Sequence, residues 1–201
     1  MVSGSPSEKE VWEKLKELIG NGEKTLGPRV SKALFANPKD FGKQLLRYKF
    51  IAQMVSKGKS VLEFRCGEAL GSPILSEESI QYLGVDEDSD SIEYASKNWG
   101  SKKSSFIRAS FLGKKFGSFD AVVCLDVPSE PVFFDTVSAN LHADGVCVCG
   151  VNKEQKNAGK IFGEMESIFH NVLTFCVNDS VIHTGDCSLA DDLLFLGCYK
   201  R

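Results

Sequence analysis

Within SVLEFRCGEALGS, residues 60–72, an apolar run stops at an acid and enters a loop carrying Glu63, Arg65, Cys66 and Gly67, with a second glycine at 71. Glycine lets a backbone approach a ligand with no Cβ in between. A loop of this kind can cradle a nucleotide-like ligand. About twenty residues further on, GVDED supplies Asp86 and Glu87, and a carboxylate at that distance can accept hydrogen bonds from both ribose hydroxyls. Chemistry on such a ligand also needs a group that handles protons. The chain has three histidines. His142 in ANLHADG reads as a solvated loop residue, and His170 in SIFHNV reads as a cap at a helix C-terminus. His183 in VNDSVIHTGD has Asp179, Thr184 and Asp186 around it, so it either orients an acceptor or bonds locally. Asp126 is the other candidate base; its plainer role is an Asx-type turn ahead of Pro128.

Asp126, Glu130, Asp179 and His183 could meet across strand ends, and oxygen-rich ligands of that kind suit Mg²⁺ or Mn²⁺. Spacing alone does not establish an ion there, and no metal site is expected. The seven cysteines include no Cys-x-x-Cys pair, so zinc has no ligand pattern to use. Most lie in apolar runs such as VCVCG and TFCV, where they read as reduced core thiols of a cytoplasmic protein. Cys147 and Cys149 alternate along one strand and so share a face.

The elements that must position these residues follow from periodicity. Residues 1–8 are small and polar, and Glu8–Ile19 has the helical spacing of an amphipathic segment. Residues 22–40, with Pro28 and Pro38, read as a connector around a short VSKALF turn. A helix is expected from about Phe41 to Ser56. From residue 60 short apolar runs alternate with amphipathic ones. SVLEF, QYLGVD, SSFIRA, FDAVVCLD, GVCVCGV, NVLTFCVN and DDLLFLGCY are the expected strands, with helices at 71–78, 89–98, 130–141 and 157–169. That alternation implies a Rossmann-like, doubly wound α/β fold with helices on both faces of a mostly parallel seven-stranded sheet. HTGDCSLA is turn-like, so the last strand is expected to run antiparallel. The division is an N-terminal extension, 1–40, and a core domain, 41–201.

Bulk properties narrow the function. The 201 residues, 42% hydrophobic and 25% charged, suit one soluble domain with decoration. A net charge of −3 argues against nucleic acid as the partner. No apolar run is long enough for a bilayer, so no membrane insertion is expected, and MVSGSPSEKE lacks the apolar core of a signal peptide.

The loop itself separates a nicotinamide dinucleotide from S-adenosylmethionine (SAM). There is no G-x-G-x-x-G, since Gly67 and Gly71 are four apart. Glu63 near the strand end would oppose a pyrophosphate but suits a ligand carrying an amino group and a sulfonium. The chain also leaves no room for a separate substrate domain.

SVLEFRCGEALGS, YLGVDEDSDSIEYASKNW and FDAVVCLDVPSE together resemble the successive motifs of class I SAM-dependent methyltransferases, from about residue 42 to the C-terminus. LLRYKFIAQMV and VNDSVIHTGDCSLADDLLFLGC are further similar to bacterial and viral enzymes that methylate surface saccharides. The resemblance implies that Glu63, Cys66 and Gly67 line the methionine end of SAM, that Asp86 holds the ribose, and that Glu87 lies beside the adenine. Ser110 stands where relatives place an acid for the adenine amine, and Cys124, Leu125 and Asp126 would form the rim facing the methyl. Arg65 and Ala69 replace glycines of the family's E-x-G-C-G-x-G-x-G. Arg65 either turns outward or pairs with the SAM carboxylate. DVPSEP lacks the histidine that relatives carry after strand four. Arg47 and Tyr48 would close over the site from the preceding helix, with Tyr48 and Asp179 on the acceptor. The implied reaction is O-methylation of a sugar hydroxyl, such as that of rhamnose, on a glycan or nucleotide sugar. The chain would then act as a homodimer or as part of a larger glycan-synthesising protein. The alternative is a SAM-binding module without turnover that serves a partner enzyme.

Overall fold

The computed structural model describes residues 26–152 and 157–201. The helix expected at 8–19 lies outside the described residues. The chain opens with helices α1 (Pro28–Ala36) and α2 (Pro38–Ile51), the latter continuing as a π-helical turn over Ala52–Ser56. Over its described residues, 26–40, the expected connector is therefore largely helical. Pro28 and Pro38 explain why: each occupies the first turn of its helix, where a missing N–H costs nothing and the fixed φ favours the helix. The Asn37 side chain caps α2 by accepting the Asp40 N–H at 3.3 Å. Residue 40, the expected domain boundary, falls inside α2.

Then follow β1 (Ser60–Phe64), α3 (Ser72–Glu78), β2 (Gln81–Asp86), α4 (Ser89–Trp99), β3 (Ser104–Arg108), β4 (Phe119–Cys124), α5 (Val132–Asn140), β5 (Leu141–Asn152), α6 (Ala158–Ile168), β6 (Phe169–Val177), β7 (Ile182–His183) and β8 (Asp192–Lys200). They form one sheet in the order β3-β2-β1-β4-β5-β8-β6-β7. β1 to β5 pair in parallel, and β8 runs antiparallel between β5 and β6. The expected seven strands and antiparallel last strand are present, and the two-residue β7 adds an eighth at the edge.

Alternation along β1 divides the core. Val61 points to the face covered by Ile51 of α2 and Leu75 of α3, whereas Leu62 and Phe64 point to the face covered by Phe133 of α5 and Met165 of α6. Cys147 and Cys149 are buried together on the α5–α6 face. Cys176 and Cys187 form a disulfide, which corrects the reading of Cys176, in TFCV, as a reduced core thiol. The turn after β7 brings their Cα atoms to 5.2 Å, a proximity that eleven residues of separation do not reveal. His170 is an exposed residue of β6 rather than a helix cap. Among the described residues no helix is long and apolar enough to cross a membrane.

Candidate functional site

The cleft lies at the carboxyl ends of β1, β2 and β4, where open α/β sheets bind ligands. Its loop keeps the backbone of a glycine-rich turn without all the glycines. Arg65, Gly67 and Ala69 all have left-handed φ, at 57°, 54° and 59°. The two departures from the family pattern thus occupy positions that do demand glycine-like conformations. Each non-glycine residue held there costs about 1–2 kcal/mol. A Cβ on Gly67 would meet nothing within 4 Å, so that backbone is open to a ligand.

Asp86 ends β2 and fixes the loop. Its Oδ2 accepts the Gly67 N–H at 2.8 Å, and its Oδ1 accepts the Asp88 N–H at 3.0 Å. Each oxygen retains a second lone pair for a ribose hydroxyl. Open backbone at Gly67 beside a spare-valence carboxylate at Asp86 fits the nucleoside end of SAM. Glu87 and Ser110 are exposed, after β2 and β3 respectively.

Glu63 is 1% exposed beneath the loop and does not line the cleft. Tyr48 donates to its Oε1 at 2.8 Å and Tyr82 to its Oε2 at 2.5 Å. Burial pushes its carboxyl up to about 7, against the opposing pull of the two tyrosine hydroxyls. The Tyr48 ring rests on Gly71, where an added Cβ would sit 2.1 Å from Cε1. That contact accounts for the second glycine of the motif. Tyr48, predicted to meet the acceptor, lines the cleft beside the loop, with its hydroxyl on Glu63.

A cavity of about 290 Å³ is lined by Cys66, Gly67 and Glu68 of the loop, by Leu125 and Asp126 after β4, and by Arg29, Val30 and Ala33 of α1. Burial raises the Cys66 thiol well above its usual range. Cys124 lies behind the rim, with its Sγ donating to the Asp126 carbonyl at 3.3 Å. Arg65 lines the same cavity, and its Nη1 lies 2.7 Å from Asp126 Oδ2, tying the loop to the segment after β4.

α1 roofs this cavity. Glu68 of the loop is buried, and its two carboxylate oxygens accept the Arg29 N–H at 3.1 Å and the Val30 N–H at 2.9 Å. These are donors at the first turn of α1 that have no partner within the helix. Arg29 also reaches over to Asp88, with Nη2 donating to Oδ2 at 2.9 Å.

A second chamber, about 240 Å³, shares Gln44, Arg47, Leu125 and Asp126 with the first and extends toward β5 and β8. Lys43 and Arg47, one turn apart on α2, are each 8% exposed and flank Asp192, which is 4% exposed. Lys43 Nζ lies 3.5 Å and Arg47 Nη1 3.6 Å from Asp192 Oδ2. Arg47 Nη2 donates to the Leu125 carbonyl at 3.1 Å, while its Nε is buried without a partner. Burial lowers the Arg47 pKa. It also works against the charge on Lys43, but Asp192, Asp40 and Asp191 outweigh it. Gly150 leaves room for Arg47, since a Cβ there would lie 2.0 Å from Nη2.

Lys43 and Asp192 were not singled out by sequence. The i, i+4 spacing of Lys43 and Arg47 was the available signal; their partner lies some 150 residues away at the start of β8. The structure does not gather the remaining candidates at this chamber. Asp179 pairs with Lys39 at 2.5 Å and lines an outer cleft with Asp40, Lys43 and Asp191. His183, on the edge strand, lies 3.5 Å from Asn178 and 3.2 Å from the Thr184 carbonyl. Glu130 lines a separate crevice against α6. No metal-competent cluster of three acids, histidines or cysteines occurs among the described residues.

No protein-family model matches the sequence, and no curated protein matches it. The fold is that of the SAM-dependent methyltransferases. The chain is similar to a TehB-like SAM-dependent methyltransferase from Corynebacterium glutamicum, with a TM-score of 0.63 at 16% identity over 96% of both chains. It is also similar to the N-methyltransferase NodS from Bradyrhizobium japonicum in complex with S-adenosylhomocysteine (SAH), with a TM-score of 0.61 at 15% identity over 94% of this chain and 97% of that one. A third similar structure is the tRNA (m1A58) methyltransferase TrmI from Aquifex aeolicus, with a TM-score of 0.62 at 18% identity over 82% of this chain and 69% of that one. At such identities the likeness defines the fold.

Proposed function

We propose that the chain is a SAM-dependent O-methyltransferase acting on a sugar hydroxyl of a glycan or nucleotide sugar, with rhamnose the first acceptor to try. The observation that carries this reading is the pair of joined chambers. One is bordered by Gly67 and lies beside the Asp86-anchored loop. The other is lined by Asp40, Lys43, Gln44, Asp126, Asn152 and Asp192, side chains that together donate to and accept from neighbouring hydroxyls. When bound, SAM supplies a methyl group activated by its sulfonium. Asp86 would hold the ribose and Glu87 and Ser110 would border the adenine. Cys66, Gly67 and Leu125 would line the methionine end, above the buried Glu63. A sugar hydroxyl is a weak nucleophile, so a positioned carboxylate helps by taking its proton during transfer. Asp126, which borders both chambers with Arg65 on its Oδ2, would take that role. His183 and Asp179 would orient the acceptor from the outer rim. In this reading residues 41–201 form the catalytic domain and 1–40 an extension. The protein works in the cytoplasm as a homodimer or within a larger glycan-synthesising protein.

A second reading, a SAM-binding module without turnover, is favoured by the Arg65–Asp126 pair, which occupies the candidate base. Transfer of labelled methyl from SAM to rhamnosyl oligosaccharides and nucleotide sugars separates the two. Label on a sugar hydroxyl, lost in Asp126→Asn, is expected. SAM binding with no transfer to any sugar would sink the enzyme reading in favour of the module.

A further inference from the structure

We propose that Glu68 is a positioning residue that fastens α1 as a lid across the cofactor chamber. The inference rests on the SAM-binding reading for the identity of the ligand, but the latch itself stands on geometry. Glu68 lies between two residues with left-handed φ, Gly67 and Ala69, in the loop that faces the ligand. That backbone turns its side chain away from the sheet and into the first turn of α1. Both oxygens are then used on α1, one on the Arg29 N–H and one on the Val30 N–H. Such charge-assisted bonds are roughly twice as strong as neutral ones, and the negative charge also suits the helix N-terminus. Gly27, just before α1, makes the fit possible: an added Cβ would lie 2.2 Å from Glu68 Oε2. Its φ of −60° needs no glycine, so this close approach is the structural demand at that position.

Three residues of the fastened helix, Arg29, Val30 and Ala33, form one wall of the chamber. A ligand held against Gly67 therefore sits under a roof clamped by the adjacent residue. Arg29 adds a second clasp through Asp88 Oδ2 and, at 3.4 Å, Ser91 Oγ. Both partners lie at the start of α4, so α1 bridges the loops after β1 and β2. Because α1 leads directly through Asn37 into α2, closing the lid also sets the helix that carries Lys43 and Arg47. The cofactor would then bind first, and its lid would complete the acceptor chamber.

The test uses the full chain, SAH as probe, and three variants. Glu68→Ala removes the acceptor, Gly27→Ala pushes the carboxylate away, and Gly42→Ala is the control, since nothing lies within 4 Å of a Cβ at that position. Hydrogen exchange of the ligand-free protein should show faster exchange at 29–33 in the first two variants only. SAH release, followed by stopped flow, should quicken about tenfold in both, the scale of one charge-assisted bond. The double variant should add little to either single one. Unchanged exchange in Glu68→Ala would overturn the latch. Faster exchange with unchanged SAH release would overturn the lid while leaving the cofactor reading intact. Failure of the unaltered protein to bind SAH would overturn the cofactor reading, and the lid with it.

Discussion

Asp86 meets two backbone N–H groups, whereas Asp192 meets a lysine and an arginine. The contrast holds across each end of the cleft. The proposed cofactor end is shaped by peptide groups, a carboxylate anchor and three left-handed residues. The proposed acceptor end is shaped by charged side chains from α2 and β8 that are nearly out of water. A backbone-built site keeps its form when side chains change, and this one has kept it with Arg65 and Ala69 in glycine positions. A buried charge cluster lacks that tolerance, because removing one member strands the others.

The largest effect should therefore come from the acceptor end. Asp192→Ala leaves Lys43 and Arg47 buried without their central counter-charge, and the expected loss of stability is about 3–4 kcal/mol. Urea unfolding measures it. A loss below about 1 kcal/mol would mean that Asp40 and Asp191 suffice for Lys43, and the two ends would differ less than the geometry implies.

Beneath the cofactor loop, Glu63 gives the second effect. Its carboxyl is raised from 4.5 to about 7 in the fold, chiefly by burial. Between those values the folded chain holds a proton that the unfolded chain releases, so stability falls as pH rises through this window and levels off above it. The span corresponds to roughly 3 kcal/mol. Unfolding midpoints across pH 4.5–7.5 should show that fall in the unaltered protein and a flatter profile in Glu63→Gln. Equal slopes in the two would place the titration on another group.

Asp86→Ala comes third. It removes the acceptor of the Gly67 and Asp88 N–H groups together with the proposed ribose contact. SAH affinity should drop about thirtyfold, or about 2 kcal/mol. Calorimetry that finds full affinity would remove Asp86 from the cofactor site while leaving its role in the loop.

The same contrast explains what the sequence disclosed. Parallel strands buried on both faces are continuous apolar runs, so β1, β2 and β4 were legible almost to the residue. The loop was legible because its glycine spacing is a local property. α1 was missed because Pro28 and Pro38 were read as breakers, although proline in a first helical turn starts a helix. The Lys43–Arg47–Asp192 cluster depends on where the strand order places β8, which brings distant segments together and leaves no trace in local pattern, and the Cys176–Cys187 disulfide depends on how the chain turns back after β7. Glu68 was hidden differently. It was quoted within the motif, yet its partners are backbone donors of a helix that was not foreseen.

The smallest effect sharpens the contrast from within the loop. If backbone shape is what the cofactor end requires, restoring glycine should help wherever the side chain adds nothing. Arg65→Gly relieves a left-handed arginine, worth about 1–2 kcal/mol. It gives up a solvent-exposed ion pair with Asp126 that contributes about 0–1 kcal/mol, and it frees the unfolded chain by about 0.4–1 kcal/mol. The balance is a gain of a few tenths of a kcal/mol. Ala69→Gly has similar backbone terms, but the Ala69 methyl is fully buried and its removal costs a further ~0.8 kcal/mol. Its balance is therefore close to zero. The denaturation midpoint should rise slightly for Arg65→Gly and stay nearly unchanged for Ala69→Gly. A loss of stability in Arg65→Gly larger than in Ala69→Gly would show that the clasp between Arg65 and Asp126, not the backbone alone, holds the loop in shape.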